Sequence, residues 1–136
     1  WALYAERLSL EIGLAQDLYD ELGVLQSELF RAVRLVVDTG IHFKRWTREE
    51  AMNYMKNVTG MSDTEVKVEI ERYIVWPGQA CSYKVGMLKL LQLREKAQNE
   101  LGDKYDIRDF HSAVLNHGEP PLFIVEELVN QMIMQK

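Results

Sequence analysis

The sequence predicts an all-α protein, a bundle or irregular array of about seven helices in one domain. Apolar residues recur at three- and four-residue steps along most of the chain, and no stretch shows the sustained alternation of a half-buried strand. Two capping-box sequences, TREE and SDTE, mark helix starts. The 136 residues are enough to bury a core, and no repeat or long linker divides them.

The first two helices are predicted from their apolar stripes. The first covers residues 1 to about 19, with Tyr4, Leu8, Ile12, Ala15 and Tyr19 on its stripe. The second covers residues 24 to 39, and Gly40 is suited to end it.

The other five helices are predicted from their start and stop signals. Thr47 with Glu50, and Ser62 with Glu65, open two of them. Pro77 fits the first turn of a helix, so the fifth helix is expected to begin there. The predicted ranges are 47–57, 62–74, 77–101, 106 to the NHGEPP stretch, and 122–134.

Composition excludes several classes of function. The net charge of −5, from 21 acids and 16 bases, argues against a nucleic-acid-binding face. No apolar stretch reaches membrane-spanning length. The single cysteine, Cys81, excludes an internal disulfide and a metal site built from several cysteines.

Three charged residues share one face of the second helix, which is apolar on its other sides. Arg31, Arg34 and Asp38 stand at i, i+3 and i+7. Charges on a buried helix are costly unless they are paired, so Arg34 and Asp38 are expected to pair, or Asp38 to orient His42. The pattern leaves open whether this stripe fixes helix packing or lines a cavity.

The segment ERYIVWPGQACSYKVG ends one helix and starts another. Backbone N–H groups at a helix start favour negative charge nearby, and Arg72 and Lys84 could meet a carboxylate. Gly86 suggests close approach of another backbone. The aromatic residues of the segment, Tyr83 among them, are equally typical of a core.

Residue pattern alone makes Glu6 part of a narrow stripe of small and acidic residues, which is typical of a solvated helix face. No histidine pair has the H-x-x-x-H spacing of a helical metal site, and there is no Gly-rich phosphate loop or G-x-S-x-G nucleophile turn.

Four segments together closely resemble the C-terminal part of the bacterial domain-of-unknown-function eight-eight-five family, which is thought to be zinc-peptidase-like. They are WALYAERL, RAVRLVVDTGIH, ERYIVWPGQACSYKVG and DIRDFHSAVLNHGEPPL, in the family's order. In that family an upstream helix carries an H-E-x-x-P-G-H motif similar to the zinc site of helical peptidases. The resemblance implies that Glu6 is the third zinc ligand, leaving a fourth position for water.

The resemblance also implies roles for residues of the same cavity. Tyr83 and His42 are candidates to donate hydrogen bonds to an oxyanion, and Arg34 and Arg72 to bind a substrate carboxylate. Asp38 would hold Arg34 or His42 in place.

The H-E-x-x-H motif is absent from these residues, so the chain is expected to be the C-terminal fragment of a larger, exported or periplasmic bacterial enzyme that acts on a peptide or small amide. Alone, it is expected neither to hold zinc tightly nor to hydrolyse peptides, and to self-associate through exposed apolar surface. The alternatives are a non-catalytic helical interaction or scaffold domain, and a zinc hydrolase of non-peptide amides or esters.

Overall fold

The computed structural model describes all residues 1–136, and its regular structure is entirely helical, which confirms the predicted all-α class. None of its helices combines the length and apolar character needed to cross a lipid bilayer. Seven α-helices follow one another, with short 3₁₀ turns at Gln79–Cys81 and Gly102–Lys104: α1 Ala2–Glu11, α2 Leu18–His42, α3 Arg48–Thr59, α4 Asp63–Val75, α5 Ser82–Leu101, α6 Ile107–Leu115 and α7 Leu122–Met134.

The chain forms two compact units, residues 1–85 and 86–136, and the division falls inside α5. The core of the first unit joins α2, α3, α4 and the 3₁₀ turn before α5 through Val33, Val37, Ala51, Met55, Val66, Ile70, Tyr73 and Ala80. The second unit contains α6, α7 and most of α5, and its buried side chains are Met87, Leu90, Leu93, Ala97, Phe110, Val114, Val125 and Val129.

The predicted first helix is too long, because α1 ends at Glu11. Gly13 follows in the left-handed region with φ of 73°. Asp17 then caps α2, its carboxylate accepting hydrogen bonds from the N–H groups of Tyr19 and Asp20. Past this break the stripe has only Ala15, which is partly buried, and Tyr19, which is exposed, so little packing supports a continuous helix there.

The prediction that Gly40 ends the second helix is also wrong, since α2 continues to His42. Gly40 is buried, and a Cβ built on it would lie 2.4 Å from Cε3 of Trp46. The glycine therefore lets the Trp46 ring lie directly against the helix backbone.

Both capping boxes are confirmed: Thr47 caps α3 with Glu50, and Ser62 caps α4 with Glu65. The starts of α6, capped by Asp106, and of α7 agree with the prediction. The predicted start of α5 at Pro77 is wrong. Gly78, with φ of 80°, and one 3₁₀ turn separate Pro77 from the start of the helix at Ser82.

Candidate functional site

The polar residues of α2 divide between two separate clusters. The Glu6 cluster consists of Glu6, Ser27 and Arg31. The Arg34 cluster consists of Arg34 and Asp38 together with Gly78, Gln79 and Tyr83 from the segment between α4 and α5 and the start of α5. Arg31, Arg34 and Asp38 were expected to share one face of α2, but Arg31 belongs to one cluster and Arg34 and Asp38 to the other.

In the Glu6 cluster, Ser27 bridges an acid and a base. The Ser27 hydroxyl donates to Oε2 of Glu6 at 2.7 Å, and Nη1 of Arg31 donates to the same hydroxyl at 2.6 Å and to the Ser27 carbonyl at 3.3 Å. Glu6 is half-buried, and its other oxygen, Oε1, accepts no hydrogen bond from the chain. Glu6 is thus a positioned carboxylate that ties α1 to α2, not the solvated acid that its stripe indicated.

Arg34 is only 3% exposed and is surrounded by aromatic rings. Its guanidinium carbon lies 4.6 Å from the ring centroid of Tyr83, 5.4 Å from that of Tyr73 and 5.6 Å from that of Phe30. Nη2 donates to Oε1 of Gln79 at 3.0 Å, while the buried Nε has no hydrogen-bond partner. The ring faces stabilise a cation here without a carboxylate.

Asp38, also 3% exposed, binds the backbone of the turn before α5. The N–H group of Gly78 donates to both carboxylate oxygens, at 3.1 and 3.0 Å. The expected Arg34–Asp38 ion pair and the expected support of His42 by Asp38 are not formed, because both oxygens face this N–H and Arg34 turns to Gln79. Asp38 therefore positions the Pro77–Gly78 turn directly.

The single cysteine lies beside the same carboxylate. Burial raises the pKa of the Cys81 thiol, and the negative charge of Asp38 raises it further. The thiol is held in its protonated form at neutral pH, which is the opposite of an activated nucleophile.

His42 and Tyr83, the two candidate oxyanion donors, have different surroundings. His42 lies exposed at the end of α2, where Nε2 donates to the Tyr73 carbonyl at 2.9 Å. Tyr83 is 38% exposed, and its hydroxyl receives a hydrogen bond from Nε2 of Gln79 at 3.4 Å. Gln79 thus links Tyr83 to Arg34, and His42 is bound outside this cluster.

The other candidate cations already face carboxylates of this chain. Arg72 pairs with Glu69, which raises the pKa of the guanidinium, and the Tyr73 hydroxyl donates to the same carboxylate. Burial, then the bond to Glu69, raises the pKa of Tyr73 above its ordinary value. Lys84 pairs with Glu28 at 2.5 Å.

One prediction about α5 is wrong, and two residues of the clusters were not predicted. No heavy atom lies within 4 Å of a Cβ built on Gly86, so the expected close approach of a backbone is wrong. Ser27 and Gln79 were not predicted as site residues. Ser27 stands four residues before Arg31 on one helix face, a spacing that could have indicated it.

No group of three or more His, Cys, Asp or Glu side chains in the chain is arranged to hold a metal ion. Glu6 is the one acid in its cluster, and its neighbours are a hydroxyl and a guanidinium. This chain therefore offers at most one carboxylate ligand at that place.

The chain is similar to a known structure along its whole length. A crystal structure described as "the putative lipoprotein from Colwellia psychrerythraea" shares 53% sequence identity with it and superposes with a TM-score of 0.98 over 100% of the chain. The chain spans 23% of that protein's length. No protein with a curated description matches it. The family described as "Bacterial protein of unknown function (DUF885)" matches residues 1–129, and the chain belongs to this family.

Proposed function

We propose that this chain is the C-terminal portion of a carboxypeptidase-like, zinc-dependent peptidase, in which Glu6 supplies the third zinc ligand. Family membership and the resemblance of the family's upstream motif to helical zinc peptidases support the proposal. The observation that carries it is the state of Glu6: one carboxylate oxygen is fixed by Ser27, and the other accepts no hydrogen bond.

The donor chemistry of Glu6 fits such a role, since zinc in catalytic sites is commonly bound by two histidines and one carboxylate. Ser27 acts as the supporting group, because a hydrogen bond to a ligating carboxylate fixes its orientation. The two histidines must come from outside these residues. When bound, zinc supplies the Lewis acidity for hydrolysis of an amide.

The other candidates take roles that follow from their contacts. Arg34 and Asp38 hold Gln79 and Gly78 and so set the position of the turn that precedes Tyr83. Tyr83, partly exposed, remains the candidate donor to an oxyanion, and His42 a second one. Arg72, which shares Glu69 with Tyr73, remains the candidate to bind a substrate carboxylate.

The test is zinc content in the longer protein that carries this segment. Glu6→Gln keeps the size and a hydrogen-bond acceptor for Ser27 but removes the charge, and we expect loss of at least tenfold in zinc affinity and in peptide hydrolysis. Glu11→Gln, on the same helix, is the matched control and should leave both unchanged. Equal zinc content in the Glu6 and Glu11 variants would contradict the proposal.

A second candidate function is a helical interaction domain, favoured by the row of exposed leucines on α2. It predicts a longer protein that binds no zinc at all, whatever residue stands at position 6. A zinc hydrolase of esters or non-peptide amides predicts the same zinc result as the peptidase and is separated from it by assaying both substrate classes.

An exported location for the longer protein is also proposed, supported by the description of the similar protein as a "putative lipoprotein".

A further inference from the structure

A groove of about 240 Å³ lies between α2 and the turn that joins α3 to α4. Its lining combines the apolar side chains of Leu29, Phe30 and Met61 with Gly23 and the polar side chains of Gln26, Ser27, Arg31 and Thr59. The volume is below the roughly 300–1,000 Å³ of cavities that hold drug-sized ligands. It suits a small molecule or one residue of a longer one.

Arg31 supplies the positive charge in this groove and has unused donors. Only Nη1 is engaged, by the hydroxyl and carbonyl of Ser27. The buried Nε has no hydrogen-bond partner, and Nη2 donates no hydrogen bond within the chain. Because Nε is closed to a ligand, Nη2 is the free donor that a carboxylate in the groove can reach, and a charged guanidinium donor binds a carboxylate strongly.

The surroundings favour an anion joined to an apolar group. No acid lines the groove, and Glu6 is separated from Arg31 by the Ser27 hydroxyl. The guanidinium carbon lies 5.4 Å from the ring centroid of Phe30, so apolar surface begins directly beside the charge. A neutral amide would gain less than a carboxylate from the guanidinium charge, and an ammonium group would be repelled.

We propose that this groove binds a small apolar carboxylate, with Arg31 receiving the carboxylate and Leu29, Phe30 and Met61 receiving the apolar part. The C-terminal residue of a peptide and a short fatty acid share this chemistry. The site does not require zinc or Glu6 as a ligand, so its test is independent of the proposed peptidase activity.

The test uses the longer protein that carries this segment, in a buffer with a chelator, titrated with N-acetyl-leucine, hexanoate and N-acetyl-leucinamide. Binding is followed by NMR through the Nε–H resonance of Arg31 and the methyl resonance of Met61. At least one carboxylate is expected to bind ten times more tightly than the amide and to shift both resonances. Tighter binding of N-acetyl-leucine would indicate the C-terminal residue of a peptide as the ligand, and tighter binding of hexanoate a short fatty acid. Binding of none of them, or equal binding of the amide, overturns the proposal.

Three variants assign the binding to the groove. Arg31→Gln is expected to weaken the carboxylate at least tenfold, and Arg7→Gln, which removes an exposed arginine of α1, to leave it unchanged. Gly23→Leu fills the groove from a helical position where a Cβ meets no atom within 4 Å, so the fold is kept while binding is lost. Unchanged binding in Gly23→Leu, or an equal loss in Arg7→Gln, overturns the proposal. Circular dichroism of each variant verifies the helix content.

Discussion

The two buried charges of α2, Arg34 and Asp38, stand one helical turn apart yet are satisfied by different partners. Arg34 lies against three aromatic rings and the Gln79 amide, whereas Asp38 accepts the backbone N–H of Gly78. A buried charge with no partner costs several kcal/mol, so each of these contacts is needed for α2 to lie in the core. Both contacts fall on the same turn, so two buried side chains of α2 hold it in place.

Removal of the Asp38 charge should change the ionisation of the Cys81 thiol. In Asp38→Asn we expect the pKa of the Cys81 thiol to fall towards its ordinary value, roughly 8.5, because a negative neighbour no longer opposes the thiolate. The rate of alkylation by iodoacetamide, measured against pH, should have its midpoint at lower pH than in the parent chain. Glu49→Gln, on α3, is the control.

The pH profile separates this effect from simple loosening of the turn. Loosening of the turn would also lower the pKa, because burial contributes to it, but it would raise the limiting alkylation rate at high pH as well. Loss of the charge alone moves the midpoint and leaves that limiting rate nearly unchanged. An unmoved or higher midpoint would contradict the assignment of the Asp38 charge as a cause of the raised pKa.

Residue-level contacts were only partly predictable from the sequence. The spacing of Arg34 and Asp38 correctly marks two charges on a buried helix, but their partners lie about 40 residues away and depend on how the turn packs. The role of Glu6 in the first unit depends on Ser27, 21 residues later, which has no motif of its own. Periodicity describes the face on which a residue lies and carries no information about the side chain that it meets.

At the level of elements, helix boundaries set by neighbouring residues were predicted correctly, whereas those that depend on tertiary packing were not. The two capping boxes are satisfied entirely by residues within one turn, so the sequence alone specifies them. The break between α1 and α2 was missed because apolar spacing continues across Gly13, although Ile12 and Tyr19 are exposed and Ala15 is only partly buried. Gly40 was assigned to a helix end because the alternative reason for a glycine, contact with the Trp46 ring, appears only in the folded chain.

Gly40 and Gly86 should respond in opposite ways to the same substitution. Alanine is favoured over glycine in a helix by about 1 kcal/mol, a gain available at both sites. At Gly40 the new methyl group meets the Trp46 ring, and we expect Gly40→Ala to lower the free energy of unfolding by about 1–3 kcal/mol. At Gly86 nothing opposes the gain, and we expect an increase of up to about 1 kcal/mol.

Urea denaturation followed by circular dichroism measures both changes. Equal stabilisation by the two substitutions would show that the Trp46 ring moves aside without penalty. That result would contradict close packing as the reason for glycine at position 40.

At the level of the whole molecule, the first half of α2 presents an exposed row of leucines. Leu18, Leu22, Leu25 and Leu29 lie at alternating steps of four and three residues and are 42% to 78% exposed. This is the spacing of a coiled-coil seam, and an exposed apolar row of this kind is typical of a contact surface. The all-α class could be predicted from the periodicity of apolar residues alone. The sequence does not identify the surface that covers this leucine row.

The isolated chain should therefore self-associate, as the sequence predicts. We expect a concentration-dependent increase in mass in sedimentation equilibrium, and at least tenfold weaker association in Leu22→Glu, because a charge in the row opposes its burial. Val68→Glu places the same charge at another exposed apolar position, on α4, and should have little effect. A monomer at every concentration would contradict the prediction.

The bond between Gly78 and Asp38 also bears on the order in which the first unit can assemble. It joins residues 40 apart in sequence, and bringing such distant ends together costs chain entropy before any contact offsets it. The intervening segment consists mainly of α3 and α4, two capped helices that pack on each other and need no long-range contact to begin. Once these helices pair, the turn at Gly78 starts much closer to α2 than an unstructured segment of that length would place it. We therefore expect the hydrogen bond between Gly78 and Asp38 to form late, after α3 and α4 have paired, rather than to be the nucleus around which the unit folds.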